Sequence, residues 1–181
     1  AALAGGVKPT EVCAYAQNDA YGMGGVKGFR AALAKQPGTE QIVAKVDQIL
    51  NMPGDNPERN GIGPVGVYQR DTVSAREGYQ SLKKWEAASG NRCRLVVTTA
   101  VYDPAAAFIG YARHNKGETW IFSSPSPAAG SRLATMLKEN GVTDRVIATQ
   151  IVPSPDSSLP AVVEARKVLG GNLDYVSLES Y

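Results

Sequence analysis

The 181-residue sequence is poor in the side chains that bind metals, since it contains a single histidine and two cysteines. A structural metal site needs about four such ligands, so metal chemistry is not expected. Charge of one sign is also scarce, because 19 basic and 17 acidic side chains leave a formal net charge of +2. Without a basic cluster, we expect no nucleic-acid partner. No apolar run approaches the roughly 18 residues of a membrane-spanning helix, so direct membrane insertion is not expected either.

The two cysteines, Cys13 and Cys93, lie in or beside segments that are typical of strands. Two buried free thiols are the expectation that we favour. A disulfide between neighbouring strands is the alternative, which an oxidising compartment would permit. The sequence alone leaves this choice open.

Apolar segments typical of strands alternate with amphipathic segments typical of helices. This alternation predicts an α/β fold with a Rossmann-like open, mostly parallel sheet and helices on both faces. Residues 51–64 are rich in proline, glycine and asparagine, and they predict a long loop. The predicted strands cover residues 12–17, 41–46, 65–68, 94–99, 120–123 and 145–152. The predicted helices cover residues 22–35, 105–115, 128–140, 161–169 and 175–181. A further helix is predicted to begin after a cap within residues 71–74 and to end near residue 88.

The glycines after the first strand match a dinucleotide-binding fingerprint only in part. The third glycine of that fingerprint would fall at Lys27, and no acidic residue ends a strand about twenty residues later. We therefore expect no cofactor, and we expect these glycines to let the turn into the first helix approach the sheet closely. A catalytic triad would have to use His114, which lies at the end of a predicted helix and away from the carboxyl ends of the strands.

Aromatic, hydroxyl and acidic residues follow three of the predicted strands, at the point where each strand ends. The carboxyl ends of parallel strands meet at one edge of a sheet, which is where small ligands bind in open α/β folds. Free N–H groups of the helix N-termini at that edge favour carboxylates and other anions. The predicted ligand-binding residues are Asp19, Tyr21, Tyr102, Asp103, Ser124 and Ser126. The two aspartates also read as N-caps of the helices that follow.

Four segments of the chain carry a family resemblance, and they are spread over nearly its whole length. Together they resemble the periplasmic ligand-binding proteins of branched-chain amino-acid ABC transporters, which have the type I periplasmic-binding fold. The segments are Tyr15-Ala-Gln-Asn-Asp-Ala-Tyr-Gly22, Tyr102-Asp-Pro-Ala-Ala-Ala-Phe-Ile109, Val146-Ile-Ala-Thr-Gln-Ile-Val-Pro153 and Asp174-Tyr-Val-Ser-Leu-Glu-Ser-Tyr181.

In that family two α/β lobes trap a ligand by hinge closure. The resemblance implies that residues 1–150 are the second lobe and that residues 151–181 are a crossover and helices of the first lobe, the rest of which is absent. Tyr21 and Tyr102 match tyrosines that close on the ligand. Ser126 stands where leucine-type binders place a glutamate for the ligand ammonium, which disfavours an α-amino acid and leaves room for other small carboxylates, amides or aromatic acids. Tyr175 falls near another ligand contact of the family.

The resemblance further implies a membrane permease as partner and a periplasmic or extracellular location. The sequence is also compatible with two other functions. One is a ligand-sensing domain of a receptor or regulator with the same fold. The other is an α/β hydrolytic or nucleotide-dependent enzyme, which would need catalytic roles for Asp19, Asp103 or His114.

Overall fold

The computed structural model describes residues 5–125, 131–150 and 152–170, together with Leu173 and Leu178. Strands and helices alternate along these residues, as the sequence predicts, apart from two successive helices before the second strand. The strands are β1 (Val12–Gln17), β2 (Val65–Tyr68), β3 (Leu95–Thr99), β4 (Ile121–Ser124) and β5 (Val146–Ala148). The helices are α1 (Ala20–Leu33), α2 (Glu40–Leu50), α3 (Arg76–Ser89), α4 (Tyr102–Gly110), α5 (Ser131–Glu139) and α6 (Pro160–Val168).

The five strands form one parallel sheet in the order β2-β1-β3-β4-β5. Ala14 of β1 pairs with Val65 on one side and with Val97 on the other, so β1 lies inside the sheet. Every residue of β1 and β2 is buried, as expected of a parallel sheet covered on both faces. The predicted fold class is confirmed.

Helices cover both faces of the sheet. On one face, the ring of Tyr15 in β1 stacks on Phe108 of α4, with 3.7 Å between ring centroids. On the same face, α3 approaches so closely that a Cβ on Gly78 would lie 2.6 Å from the Tyr15 ring. The opposite face carries α1, where a Cβ on Gly25 would lie 1.9 Å from Oγ1 of Thr99. These contacts form a doubly wound core rich in aromatic side chains.

One predicted strand is wrong. Residues 41–46 belong to helix α2, because Ile42, Val46 and Ile49 recur at helical spacing and are all buried. The β-branched residues favour a strand locally, but the 3.6-residue period decides the structure. The sheet therefore has five strands among the described residues rather than six.

The favoured expectation of free thiols is also wrong. Cys13 and Cys93 form a disulfide with their Cα atoms 5.6 Å apart. Residue 93 lies just before β3, which pairs with β1, so the two side chains come together across neighbouring strands. Both cysteines are buried in the core.

Several helix boundaries differ from the sequence prediction. Helix α4 starts at Tyr102 with Val101 as its N-cap, so Asp103 lies in the first turn and is not the predicted cap. The chain continues from α4 into a π-helical turn over Tyr111–Asn115. Helix α6 agrees with the prediction within one residue at each end. The predicted final helix over residues 175–181 lies outside the described residues, apart from Leu178.

Candidate functional site

The carboxyl edge of the sheet contains a topological switch point. The chain leaves β1 toward β2 on one side and returns to β3 on the other. In doubly wound sheets, ligands bind in the crevice at such a point. The segments that follow β1 and β3 begin at Asn18 and Ala100, and they carry four of the six predicted site residues.

Asp19 is the N-cap of α1, as predicted. Its Oδ1 accepts a hydrogen bond of 3.0 Å from the amide of Gly22, and its Oδ2 accepts one of 2.6 Å from Nε2 of Gln17. A Cβ on Gly22 would lie 1.8 Å from the carbonyl oxygen of Gln17. The predicted close approach of this turn to the sheet is therefore confirmed, and it fixes where α1 begins.

Tyr21 lies in the first turn of α1 and is 40% exposed at the edge. Partial burial raises the pKa of its hydroxyl, and the nearby Asp19 and Tyr102 raise it further. The hydroxyl is therefore protonated at neutral pH. It can donate one hydrogen bond to a ligand, and its ring offers an apolar wall.

Gln17 and Tyr68 form a buried polar connection beneath the edge that sequence reasoning missed. The hydroxyl of Tyr68 donates a hydrogen bond of 3.0 Å to Oε1 of Gln17, and it accepts one of 3.4 Å from the amide of Val101. Burial is the main cause that raises the pKa of Tyr68, to about 12. A signal was present, because Gln17 and Tyr68 are the last residues of two apolar strands.

Tyr102 and Asp103 lie in the first turn of α4, beside a residue that sequence reasoning also missed. The guanidinium of Arg132 in α5 stands 5.6 Å from the ring centroid of Tyr102. Its Nη2 also lies 3.1 Å and 3.3 Å from the two carboxylate oxygens of Asp103. The charge of Asp103 is thus compensated within the protein.

A cavity of about 510 Å³ opens at the edge next to these groups. Buried Gln17 and Tyr68 contribute to its lining, along with the charged Asp103 and the apolar Val101. Loop residues after β2 complete the lining, and one of them, Asp71, has a positive φ of 61°. Most of the lining is polar, and Arg70, Asp71 and Asp103 carry charge, so the cavity suits a small polar ligand.

The two predicted serines have different outcomes. Ser124 is fully buried, and its hydroxyl accepts a hydrogen bond of 3.1 Å from Thr98. Its carbonyl oxygen accepts another, of 3.0 Å, from the amide of Thr149. The structure therefore places Ser124 beneath the edge rather than on its surface. Ser126 lies outside the described residues.

A second cavity of about 510 Å³ lies against the sheet face that carries α1. Apolar side chains such as Val12, Phe29 and Leu95 line it, and none of its described lining residues is charged. Its polar lining residues, such as Thr99, Ser123 and Thr149, are uncharged, whereas the carboxyl edge offers charged groups that can fix the orientation of a small polar ligand. The carboxyl edge therefore remains the better candidate site.

His114 does not join Asp19 and Asp103 at the carboxyl edge. His114 lies in the π-helical turn beyond α4. His114 is eleven positions from Asp103, which is about 16 Å along a helix axis. Among the described residues, no group of three or more His, Cys, Asp or Glu side chains is placed to hold a metal ion. No helix in the described ranges has the length and apolar character needed to cross a membrane.

Comparison with solved structures identifies the fold. The chain is similar to a possible leucine/isoleucine/valine-binding protein from Rhodopirellula baltica SH 1, with 28% sequence identity and a TM-score of 0.73 over 99% of this chain. It is also similar in fold to a substrate-binding periplasmic protein from Ralstonia solanacearum, with 18% identity and a TM-score of 0.59 over 98% of this chain. No protein-family model and no curated protein sequence matches.

The chain therefore has the fold of one lobe of a periplasmic binding protein. It spans 43% of the length of each of these two solved chains. The expected family resemblance is confirmed at the level of structure. The disulfide between Cys13 and Cys93 is consistent with an extracytoplasmic location, where such bonds persist.

Proposed function

We propose that this chain is the second lobe of a substrate-binding protein that captures a small polar ligand between two lobes. The ligand would be an amino acid or a related small carboxylate or amide. Hinge closure would trap it, because a ligand that contacts both lobes favours the closed state. The role is capture without covalent chemistry.

The observation that carries this proposal is the polar and aromatic carboxyl edge of a lobe that matches a possible leucine/isoleucine/valine-binding protein over 99% of its length. Tyr21 and Tyr102 stand in the first turns of the two helices that flank the switch point. In this proposal both rings close on the ligand, and the hydroxyl of Tyr21 donates a hydrogen bond to it.

The remaining predicted residues take supporting roles in the proposal. Asp19 holds the start of α1, and Asp103 holds Arg132 against Tyr102. Ser124 supports the edge from below through Thr98. By the family resemblance, Ser126 replaces a carboxylate of leucine-type binders, so we propose a weaker interaction with a ligand ammonium group there.

The domain division belongs to the same proposal. Residues 1–150 would form the second lobe, and residues 151–181 would belong to the first lobe. Helix α6 supports this division, because, among the described residues, its buried Val162 and Ala165 do not belong to the continuous core that the sheet and helices α1–α5 form. A periplasmic location and delivery of the ligand to a membrane permease complete the proposed role.

The test is calorimetric titration of the full-length protein with L-leucine, L-isoleucine and L-valine. Two analogues of leucine are added: 4-methylpentanoate lacks the α-ammonium group, and leucinamide lacks the free carboxylate. Saturable binding of an amino acid, weakened at least tenfold by Tyr102→Ala and by Tyr21→Ala, would support the proposal. Tyr111→Phe is the matched control, because Tyr111 lies beyond α4 at the far end from the edge.

The analogues decide the ligand class. If 4-methylpentanoate or leucinamide binds as tightly as leucine or more tightly, the site does not require the zwitterion, and its ligand class extends to small carboxylates or amides. Absence of binding to all five compounds would contradict the proposed ligand class. Binding that is unchanged in both tyrosine variants would contradict the proposed site.

A further inference from the structure

A buried arginine lies in the long loop between α2 and β2, a segment with no role in the proposed function so far. Arg59 ends a 3-10 turn over Pro57–Arg59 and is only 3% exposed. Its Nη1 donates a hydrogen bond of 2.6 Å to Oδ1 of Asn18, and its Nε donates one of 3.2 Å to the carbonyl oxygen of Ile49. Its Nη2 donates to the carbonyl oxygen of Met52. The side chain therefore joins its own loop to the end of α2 and to the residue that follows β1.

No carboxylate pairs with this guanidinium among the described residues. A buried charge needs compensation, and here the end of α2 provides it. The carbonyl of Ile49 belongs to the last turn of that helix, where free carbonyls and the helix dipole favour a cation. Carbonyls at and just after the end of α2 thus fix Nε and Nη2 of Arg59, and Nη1 donates its hydrogen bond to Asn18.

Asn18 is the residue through which this contact reaches the candidate site. It is fully buried and directly follows β1. Its Oδ1 accepts from Arg59, its Nδ2 donates to the carbonyl of Asn56 at 3.1 Å, and its amide donates to the carbonyl of Tyr68 at 2.8 Å. The next residue is Asp19, the cap of α1.

We propose that Arg59 is a positioning residue for the ligand-binding edge, acting through Asn18 on the start of α1 and hence on Tyr21. The loop over residues 51–64 is then a brace that ties the end of α2 to the end of β1. The effect on ligand affinity rests on the proposed function, whereas the effect on the backbone at Asn18 and Gly22 does not.

The first test needs no ligand. Hydrogen exchange of the full-length protein is measured for the amides of Asn18 and Gly22, which donate to Tyr68 and to Asp19. In Arg59→Met we expect the protection of both amides to fall by about tenfold or more, while the amide of Val96 in β3 keeps its protection. If Arg59→Met fails to fold, Arg59→Lys replaces it, because lysine keeps the charge but cannot join all three partners.

Thr39→Val is the matched control for a general loss of stability. Thr39 is also buried, and its hydroxyl donates to the carbonyls of Leu33 and Gln36, at the opposite end of α1. Its loss removes buried hydrogen bonds without touching the edge. Equal loss of protection at Gly22 in Thr39→Val and in the Arg59 variant would overturn the proposal, since Arg59 would then act only through overall stability.

The second test is a double-mutant cycle on the affinity for L-leucine, with Arg59→Met and Tyr21→Ala in the full-length protein. If Arg59 acts through Tyr21, Arg59→Met weakens binding by about tenfold alone and has little further effect in the Tyr21→Ala background. An equal effect in both backgrounds would overturn the proposed route through Tyr21. If leucine does not bind, the cycle uses whichever of the other four compounds does. If none of the five binds, the proposed ligand class fails, and the hydrogen-exchange result alone decides the role of Arg59.

Discussion

The hydroxyl of Tyr68, the last residue of β2, donates a hydrogen bond of 3.0 Å to Oε1 of Gln17, the last residue of β1. Gln17 in turn donates to Asp19, and the amide of Val101 donates to the Tyr68 oxygen. One buried connection thus joins the ends of β2 and β1 to the residue before α4. It orients the two helix starts that carry Tyr21 and Tyr102.

Replacing Tyr68 with phenylalanine should break this connection. The variant keeps the buried ring but leaves Oε1 of Gln17 and the amide of Val101 without the hydroxyl. When the loss of a buried hydrogen bond leaves its partners unsatisfied, the free energy of unfolding falls by about 1–3 kcal/mol. Urea unfolding should therefore show a free energy of unfolding lower by about that amount. Tyr111→Phe, at the far end of α4, should change it by less than about 0.5 kcal/mol. Equal effects of the two variants would contradict the structural role of the Tyr68 hydroxyl.

High pH should destabilise the protein through its buried tyrosines. Burial raises the pKa of Tyr68 to about 12, and it also raises the pKa values of Tyr15 and Tyr79. In the unfolded chain these hydroxyls ionise near pH 10. Their contribution to stability is therefore complete below about pH 10 and is lost as the pH rises through the folded-state pKa of each group, which is about 12 for Tyr68.

Urea unfolding between about pH 8 and 11.5 tests this dependence. We expect the free energy of unfolding to fall above about pH 10, and to fall less steeply in Tyr68→Phe, which removes one of the three groups. A free energy that stays constant over this range would contradict the burial of these hydroxyls.

The sequence predicts those parts of the structure that are determined by interactions between residues close together in the chain. Strand β1 was placed at its observed bounds, because its six residues form an apolar run that ends at a polar turn. The cap at Asp19 and the close glycine turn followed from residue types whose conformational roles are well defined. Alternation of strands and helices then fixed the fold class, even though residues 41–46 were assigned wrongly.

The contacts that shape the candidate site were beyond such patterns, since they join residues far apart in sequence. Tyr68 is 51 positions from Gln17, Arg132 is 29 from Asp103, and Arg59 is 41 from Asn18. Nothing in the local sequence says which strand ends become neighbours. The sheet order decides this, and with it the pairing of the two cysteines.

Two neighbouring glycines of α1 should respond to alanine in opposite directions. A Cβ on Gly25 would lie 1.9 Å from Oγ1 of Thr99, whereas a Cβ on Gly24 would meet nothing within 4 Å. Gly25→Ala should therefore lower the free energy of unfolding by about 1–3 kcal/mol through overpacking. Gly24→Ala should raise it by about 0.5–1 kcal/mol, because alanine favours the helix. Thermal and urea unfolding of both variants measure this contrast, and a change of the same sign in both would contradict the close approach of α1 to β3.

Reduction of the disulfide should strongly lower the free energy of unfolding, chiefly because it removes a constraint on the unfolded chain. Cys13 and Cys93 are buried and lie 80 positions apart in sequence, so the bond closes a long loop in the unfolded chain. In the chain-entropy model a loop of that length stabilises the fold by about 4–5 kcal/mol. Urea unfolding should show a lower midpoint with dithiothreitol than without it. Reduction of the native protein should be slow, because both sulfurs are buried. The double variant Cys13→Ala/Cys93→Ala is the control, and its midpoint should not respond to dithiothreitol. A wild-type midpoint that is the same in both conditions would show that the bond does not form.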